Sequence, residues 1–97
     1  MPAFVVLGNF TEQGLRDIKN LAQLRRAAEE YVGSKGGRVV ANYTTFGPYD
    51  FVFIAEMPRA EDALEGAFTF GRQGQVRTQT LLAFAAPEAE AIAQRLP

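Results

Sequence analysis

The chain has 97 residues, 47% hydrophobic and 22% charged, and its 10 Lys and Arg against 11 Asp and Glu give a formal net charge of −1. That length and composition fit one globular domain over residues 1–97 and exclude a disordered or low-complexity chain. His, Cys and Trp are absent, which removes Ser-His-Asp and Cys-His nucleophiles, Fe–S clusters, His- or Cys-ligated zinc and disulfides.

The N-terminal apolar run, Ala3 to Leu7, is too short for a signal peptide and lacks the basic flank. The stretch Leu81 to Pro87 falls far below the roughly 20 residues that span a bilayer. Near-neutral charge favours neither nucleic acid nor an anionic membrane. A cytoplasmic protein without nucleic-acid or membrane partners is expected.

Residues 3–10 alternate and are rich in β-branched and aromatic side chains, which predicts a strand. Thr11 is placed to cap a following helix, with Glu12 in its first turn. The apolar stripe of that helix drifts: Leu15, Ile18 and Ala22 share one face, and Leu21, Leu24, Ala28 and Tyr31 share a rotated one. A break near Asn20 reconciles the two faces, and Gly33, Gly36 and Gly37 end the segment. Residues 38–46 and 50–57 read as two strands joined across Gly47-Pro48. Pro58 then starts a helix with Glu61 and Asp62 near its N-terminus, and its core stripe is predicted as Ala60, Ala63, Leu64, Ala67 and Phe68. Gly71 and Gly74 bracket its exit. Residues 75–84 read as the fourth strand, and Pro87 starts a short helix with Ala89, Ile92, Ala93 and Leu96 as its inward face.

The order β-α-β-β-α-β with right-handed crossovers predicts an α+β, ferredoxin-like sandwich with a C-terminal helix. Two helices then cover one sheet face and leave the other open. Both faces of the strands carry apolar groups, Phe4, Val6 and Phe10 against Val5 and Leu7, and Phe51 and Phe53 against Val52 and Ile54. A sheet wet on one side alternates more cleanly. A second copy covering the open face, as a two-chain barrel, is the expected partner.

The stretches Val5-Val6-Leu7-Gly8-Asn9-Phe10-Thr11-Glu12-Gln13-Gly14, Tyr43-Thr44-Thr45-Phe46-Gly47-Pro48-Tyr49-Asp50 and Val76-Arg77-Thr78-Gln79-Thr80-Leu81 resemble the GYD domain family. That family is named for a Gly-x-Tyr-Asp segment, here Gly47, Tyr49 and Asp50, and the resemblance runs from the first strand through the fourth. Pro48 stands where the family often has a polar residue and Leu82 where it often has Arg. The resemblance implies a ferredoxin-like fold of the dimeric α/β-barrel kind and no established activity.

Tyr49 and Asp50 offer a phenol and a carboxylate beside a tight turn, with Tyr43 as a further phenol; these are the catalytic candidates. An Asp after a turn more often accepts backbone N–H bonds. A two- or four-residue loop pairs Thr45 with Asp50, and a three-residue loop pairs Thr44 with Val52, so both registers stand open. The ligand-binding candidates are Asn9, Thr11, Asn42, Asp50, Arg77 and Gln79. A structural role competes for several of them: Thr11 as plain N-cap, and Arg77 as edge-strand protection or as an ion-pair partner of Asp50 or Glu56. A carboxylate-only Mg or Ca site at Asp50 and Glu56 lacks ligand spacing of the EF-hand sort, so no metal and no cofactor are expected.

A homo-oligomeric module that binds a small ligand is therefore expected. One alternative is a cofactor-independent enzyme using Tyr, Asp50 and Arg77; the other is a purely structural, self-assembling domain. The enzyme requires a pocket reaching Tyr49 or Tyr43 together with Asp50. A filled, dry sheet interface marks assembly alone.

Overall fold

In the computed structural model, which describes residues 1–97, four strands form one antiparallel sheet. They are β1 (Ala3–Phe10), β2 (Arg38–Thr44), β3 (Phe51–Glu56) and β4 (Val76–Ala83), in the spatial order β2-β3-β1-β4. The helices are α1 (Glu12–Arg16), α2 (Leu21–Ser34), α3 (Ala60–Gln73) and α4 (Ala86–Ala93). This is the ferredoxin-like α+β arrangement, with α2 and α3 on one sheet face. Phe4 of β1, Val32 of α2, Ala55 of β3, Ala63 of α3 and Met57 form the core between them. No helix is long and apolar enough to cross a membrane.

The first helical stretch breaks where its apolar stripe changes face: α1 ends at Arg16, a 3-10 turn spans Ile18–Asn20, and α2 starts at Leu21. Thr11 caps α1, its Oγ1 accepting the Gly14 N–H at 3.1 Å and donating to the Gly74 carbonyl at 2.6 Å. One side chain thereby satisfies an orphan helix donor and ties that helix to the turn before β4.

The β2–β3 hairpin adopts the four-residue register. The Thr45 N–H donates to the Asp50 carbonyl at 2.7 Å, and Thr44 lies opposite Phe51. Asp50 therefore shares the open face with Tyr43, which pairs with Val52. A bulge at Val40 shifts the register farther along, so that Val39 opposes Ala55 and Ala41 opposes Ile54. Arg38 and Glu56, at the strand ends, pair through a 2.8 Å salt bridge.

Two expectations are corrected. On α3 the inward stripe is Ala63, Gly66, Ala67 and Phe70 rather than one that includes Leu64 and Phe68, which are 56% and 63% exposed. The helix is rotated because Gly66 accepts the ring of Tyr31, where a Cβ would stand 2.9 Å from Tyr31 Cε2. Asp62 is buried beside it, salt-bridged to Arg59 at 3.2 Å. On α4 the predicted inward face meets no core, since every residue from Phe84 to Pro97 is exposed.

That arm makes the chain long and its surface large. The radius of gyration is 14.7 Å, against about 12.5 Å for a compact domain of this length. The accessible surface is 6742 Å², against about 5,500 Å² for a monomer of this mass.

Candidate functional site

Two surfaces compete for function, one on each side of the sheet. Between sheet and helices lies a cavity of about 390 Å³, lined by 21 residues of which 15 are hydrophobic. Its floor comes from inward positions of all four strands, including Phe51, Phe53, Asn42 and Thr78, and its roof from α2 and α3. Close-packed interiors leave few voids larger than a water. Here two glycines keep the middle open. Gly8 has no Cβ, and one built there would stand 1.9 Å from the Phe51 ring; that ring lies flat on the β1 backbone. Gly66 does the same for Tyr31 on α3. Both rings become walls instead of filling.

Tyr31 has its polar end committed outside the cavity. Its hydroxyl donates to the Asp62 carbonyl at 2.6 Å and lies 3.3 Å from Glu65 Oε2. Burial, and next the charge of Glu65, push its pKa up to about 12, so it stays a neutral phenol across the physiological range. Glu65 is held below the usual carboxylate range mainly by its hydrogen bond to Lys35. The polar groups that face the cavity from the strands are Asn42, Thr44, Thr78 and Thr80.

The open face is the second surface. Its centre is apolar: the cross-strand rows put Val5 beside Ile54 and Leu81, and Leu7 beside Val52 and Gln79. Polar groups gather at one end. The Asp50 carboxylate accepts the Phe10 N–H at 2.9 Å, and the Asn9 amide donates to the Pro48 carbonyl at 3.0 Å and lies 3.5 Å from Asp50 Oδ2. The Tyr49 hydroxyl donates to Gln79 Oε1 at 3.3 Å. Since β1 lies between β3 and β4, the Tyr49 side chain must cross over β1 to reach it. Arg77 is exposed opposite Asn9 and has no ion pair within the chain; Glu56 is taken by Arg38.

The sequence candidates thus fall into three places. Asn9, Asp50, Arg77 and Gln79 come together on the open face with Tyr49, Asn42 lines the cavity on the other side, and Thr11 caps α1. The cavity is lined by none of Tyr43, Tyr49 or Asp50, so it does not supply the pocket that the enzymatic alternative requires. No group of three or more acidic side chains is placed to hold a metal ion.

Sequence reasoning missed Arg25, Tyr31 and Gly66 as cavity residues. Two signals were available. A glycine inside a helix costs roughly 0.5–1 kcal/mol relative to Ala, so Gly66 on the inward side marks a close approach. Asn42, Thr44, Thr78 and Thr80 occupy inward strand positions where a filled core would place apolar side chains.

Comparison with known proteins agrees with the fold. The family described as GYD domain matches residues 4–93. A Thermus thermophilus protein, named "Glutamine synthetase and cystathionine beta-lyase binding protein", is 36% identical over 95 residues, covering 97% of this chain and 98% of that protein. Among solved structures, FFRP-DM1 superposes with a TM-score of 0.57 at 20% identity over 87% of this chain and 100% of its own, a likeness of fold. TTHA0845 from Thermus thermophilus superposes with a TM-score of 0.55 at 25% identity over 89% of this chain and 96% of its own. With the family match spanning the sheet and all of its covering helices, the chain belongs to the GYD domain family.

Proposed function

We propose that this protein is a self-associating module that binds a small, mainly apolar ligand between its sheet and its helices. The 390 Å³ cavity carries this reading, for its volume lies within the roughly 300–1,000 Å³ of small-molecule sites and its lining is apolar with a few polar groups. Ligand-observed NMR with a library of apolar fragments tests it. Ala67→Phe, which sends a ring into the cavity from α3, is expected to abolish saturation transfer to the hits. A library without hits, or hits indifferent to Ala67→Phe, overturns it.

Self-association draws its support from the open face and the C-terminal arm. The surface exceeds that of a compact monomer by on the order of 1,200 Å², and a standard dimer buries about 800 Å² per partner. A second copy laid sheet to sheet covers Val5, Leu7, Val52, Ile54 and Leu81, and the exposed Ile92 and Leu96 of the arm offer further apolar surface. Sedimentation velocity at micromolar concentration is expected to give a dimer or larger species, shifted toward monomer by Leu7→Glu. A cytoplasmic location belongs to the same reading, supported by the absence of cysteine.

The name of the Thermus relative favours a second reading, in which the open face receives another protein. Phe46, 98% exposed at the tip of the β2–β3 loop, extends that surface. A monomer by sedimentation favours this reading over the first.

A further inference from the structure

The cavity has one charged residue in its lining, Arg25 of α2, and no carboxylate. We infer that its ligand is an aromatic monocarboxylic acid, with a fused-ring body in the cavity and its carboxylate at the rim between Arg25 and Asn42. This rests on the ligand-binding reading above and names the class.

The position of the rim follows from chain geometry. Helix α2 leads back from the turn at Lys35–Gly37 and β2 leads forward from it. Ten residues of helix back to Arg25 span about 15 Å, and five of strand forward to Asn42 about 16 Å, which puts both at one level of the fold. Both are exposed at the same time as they line the cavity, as groups at its mouth must be.

Arg25 is free to take an anion. One of its nitrogens bonds Glu29 at 3.1 Å, on an exposed i, i+4 pair of the kind that contributes little. The guanidinium has five N–H donors, so a fork remains for a carboxylate. Asn42 makes no hydrogen bond within the chain beyond its backbone ladder, and its amide is available as a second, neutral donor. A single cationic side chain beside a neutral amide matches one unit of negative charge.

The body of the ligand follows from the walls. Five aromatic rings line the cavity, those of Phe10, Tyr31, Phe51, Phe53 and Phe70. Phe10 and Phe51 stand 5.5 Å apart between centroids, and Tyr31 and Phe70 meet edge to face at 6.0 Å. Such walls reward a flat aromatic partner by offset or edge-on contact. A dry cavity of about 150 Å³ takes one benzene, so 390 Å³ takes two to three rings of that size.

The chain has no tryptophan, so naphthyl fluorescence is read without tryptophan background. Titrations of the whole protein with 2-naphthoate, neutral 2-naphthamide and aliphatic decanoate test the assignment. One naphthoate per chain is expected, bound at least about tenfold tighter than naphthamide, a difference of about 1.4 kcal/mol. Arg25→Gln, an exposed helix substitution, is expected to bring the two within about twofold while leaving naphthamide affinity unchanged. Equal binding of acid and amide, indifferent to Arg25→Gln, overturns the anionic head and leaves the cavity reading standing. Decanoate bound tighter than naphthoate overturns the aromatic body. Binding of none of the three overturns the inference, and the fragment library then decides separately whether the cavity takes any ligand.

Discussion

The carboxylate of Asp50 holds the end of β1 by accepting the backbone N–H of Phe10 at 2.9 Å, while the Asp50 N–H donates to the Gly8 carbonyl at 2.8 Å. The residue that gives the turn its acidic character is thus bonded to the neighbouring strand from both its side chain and its main chain. Asp50→Ala leaves the Phe10 donor unpaired and is expected to cost about 1–3 kcal/mol in urea unfolding. Asp50→Asn keeps an acceptor oxygen and is expected to cost less. Unchanged stability of Asp50→Ala together with lost ligand binding would assign the carboxylate to a ligand instead.

Gly8 sets the floor of the cavity. A methyl group there meets the Phe51 ring, so Gly8→Ala is expected to destabilise by about 1–3 kcal/mol. Removing the ring with Phe51→Leu should make the double variant less destabilised than the two single costs added together. Strict additivity would mean that the two positions do not compete for space.

Tyr31 supplies a pH dependence. Its pKa is about 12 folded against 10.0 for the unperturbed phenol, so the native state holds this proton more tightly. The associated stability is fully present below pH 10 and is lost as pH rises through about 12. An alkaline absorbance titration is expected to show a late phenol phase that Tyr31→Phe removes. A late phase that survives this substitution contradicts the assignment.

The exposed arm buries no side chain in the fold of one chain, and on the reading proposed above it serves assembly. Truncation after Ala83 is expected to preserve the far-ultraviolet strand signal and change unfolding of the dissociated chain by less than about 1 kcal/mol, as for exposed segments generally. The same truncation is expected to weaken self-association. A collapse of the isolated fold would show that α4 packs on its own sheet.

The strands were legible as short β-branched and aromatic runs between turn residues, but which face meets the helices was not, because Val5 and Leu7 are as apolar as Phe4 and Val6, which point to the helices. The break before α2 was legible because the stripe of Leu15 and Ile18 does not align with that of Leu24 and Ala28. The rotation of α3 was not, because hydrophobic spacing counts Leu64 and Phe68 and gives Gly66 no weight, while contact between Gly66 and Tyr31 decides the outcome. Likewise, Ile92 and Leu96 form an apolar face whose partner is not in the same chain's core, and helical periodicity says that a face is apolar without saying what covers it. Of the candidate residues, Asn9, Asp50, Arg77 and Gln79 converged because cross-strand pairing unites them at one end of the sheet. The cavity as a whole was not legible because it depends on Phe51 and Tyr31 lying against Gly8 and Gly66 instead of filling the space between sheet and helices, contacts that no local pattern announces.

The working protein, on the reading proposed above, is an oligomer carrying a small molecule. Native mass spectrometry of freshly purified protein, paired with a denatured spectrum of the same sample, tests this most directly. The expected result is a multiple of the 10.6 kDa chain mass with a reproducible added mass that disappears on denaturation. A bare monomer at micromolar concentration would contradict it.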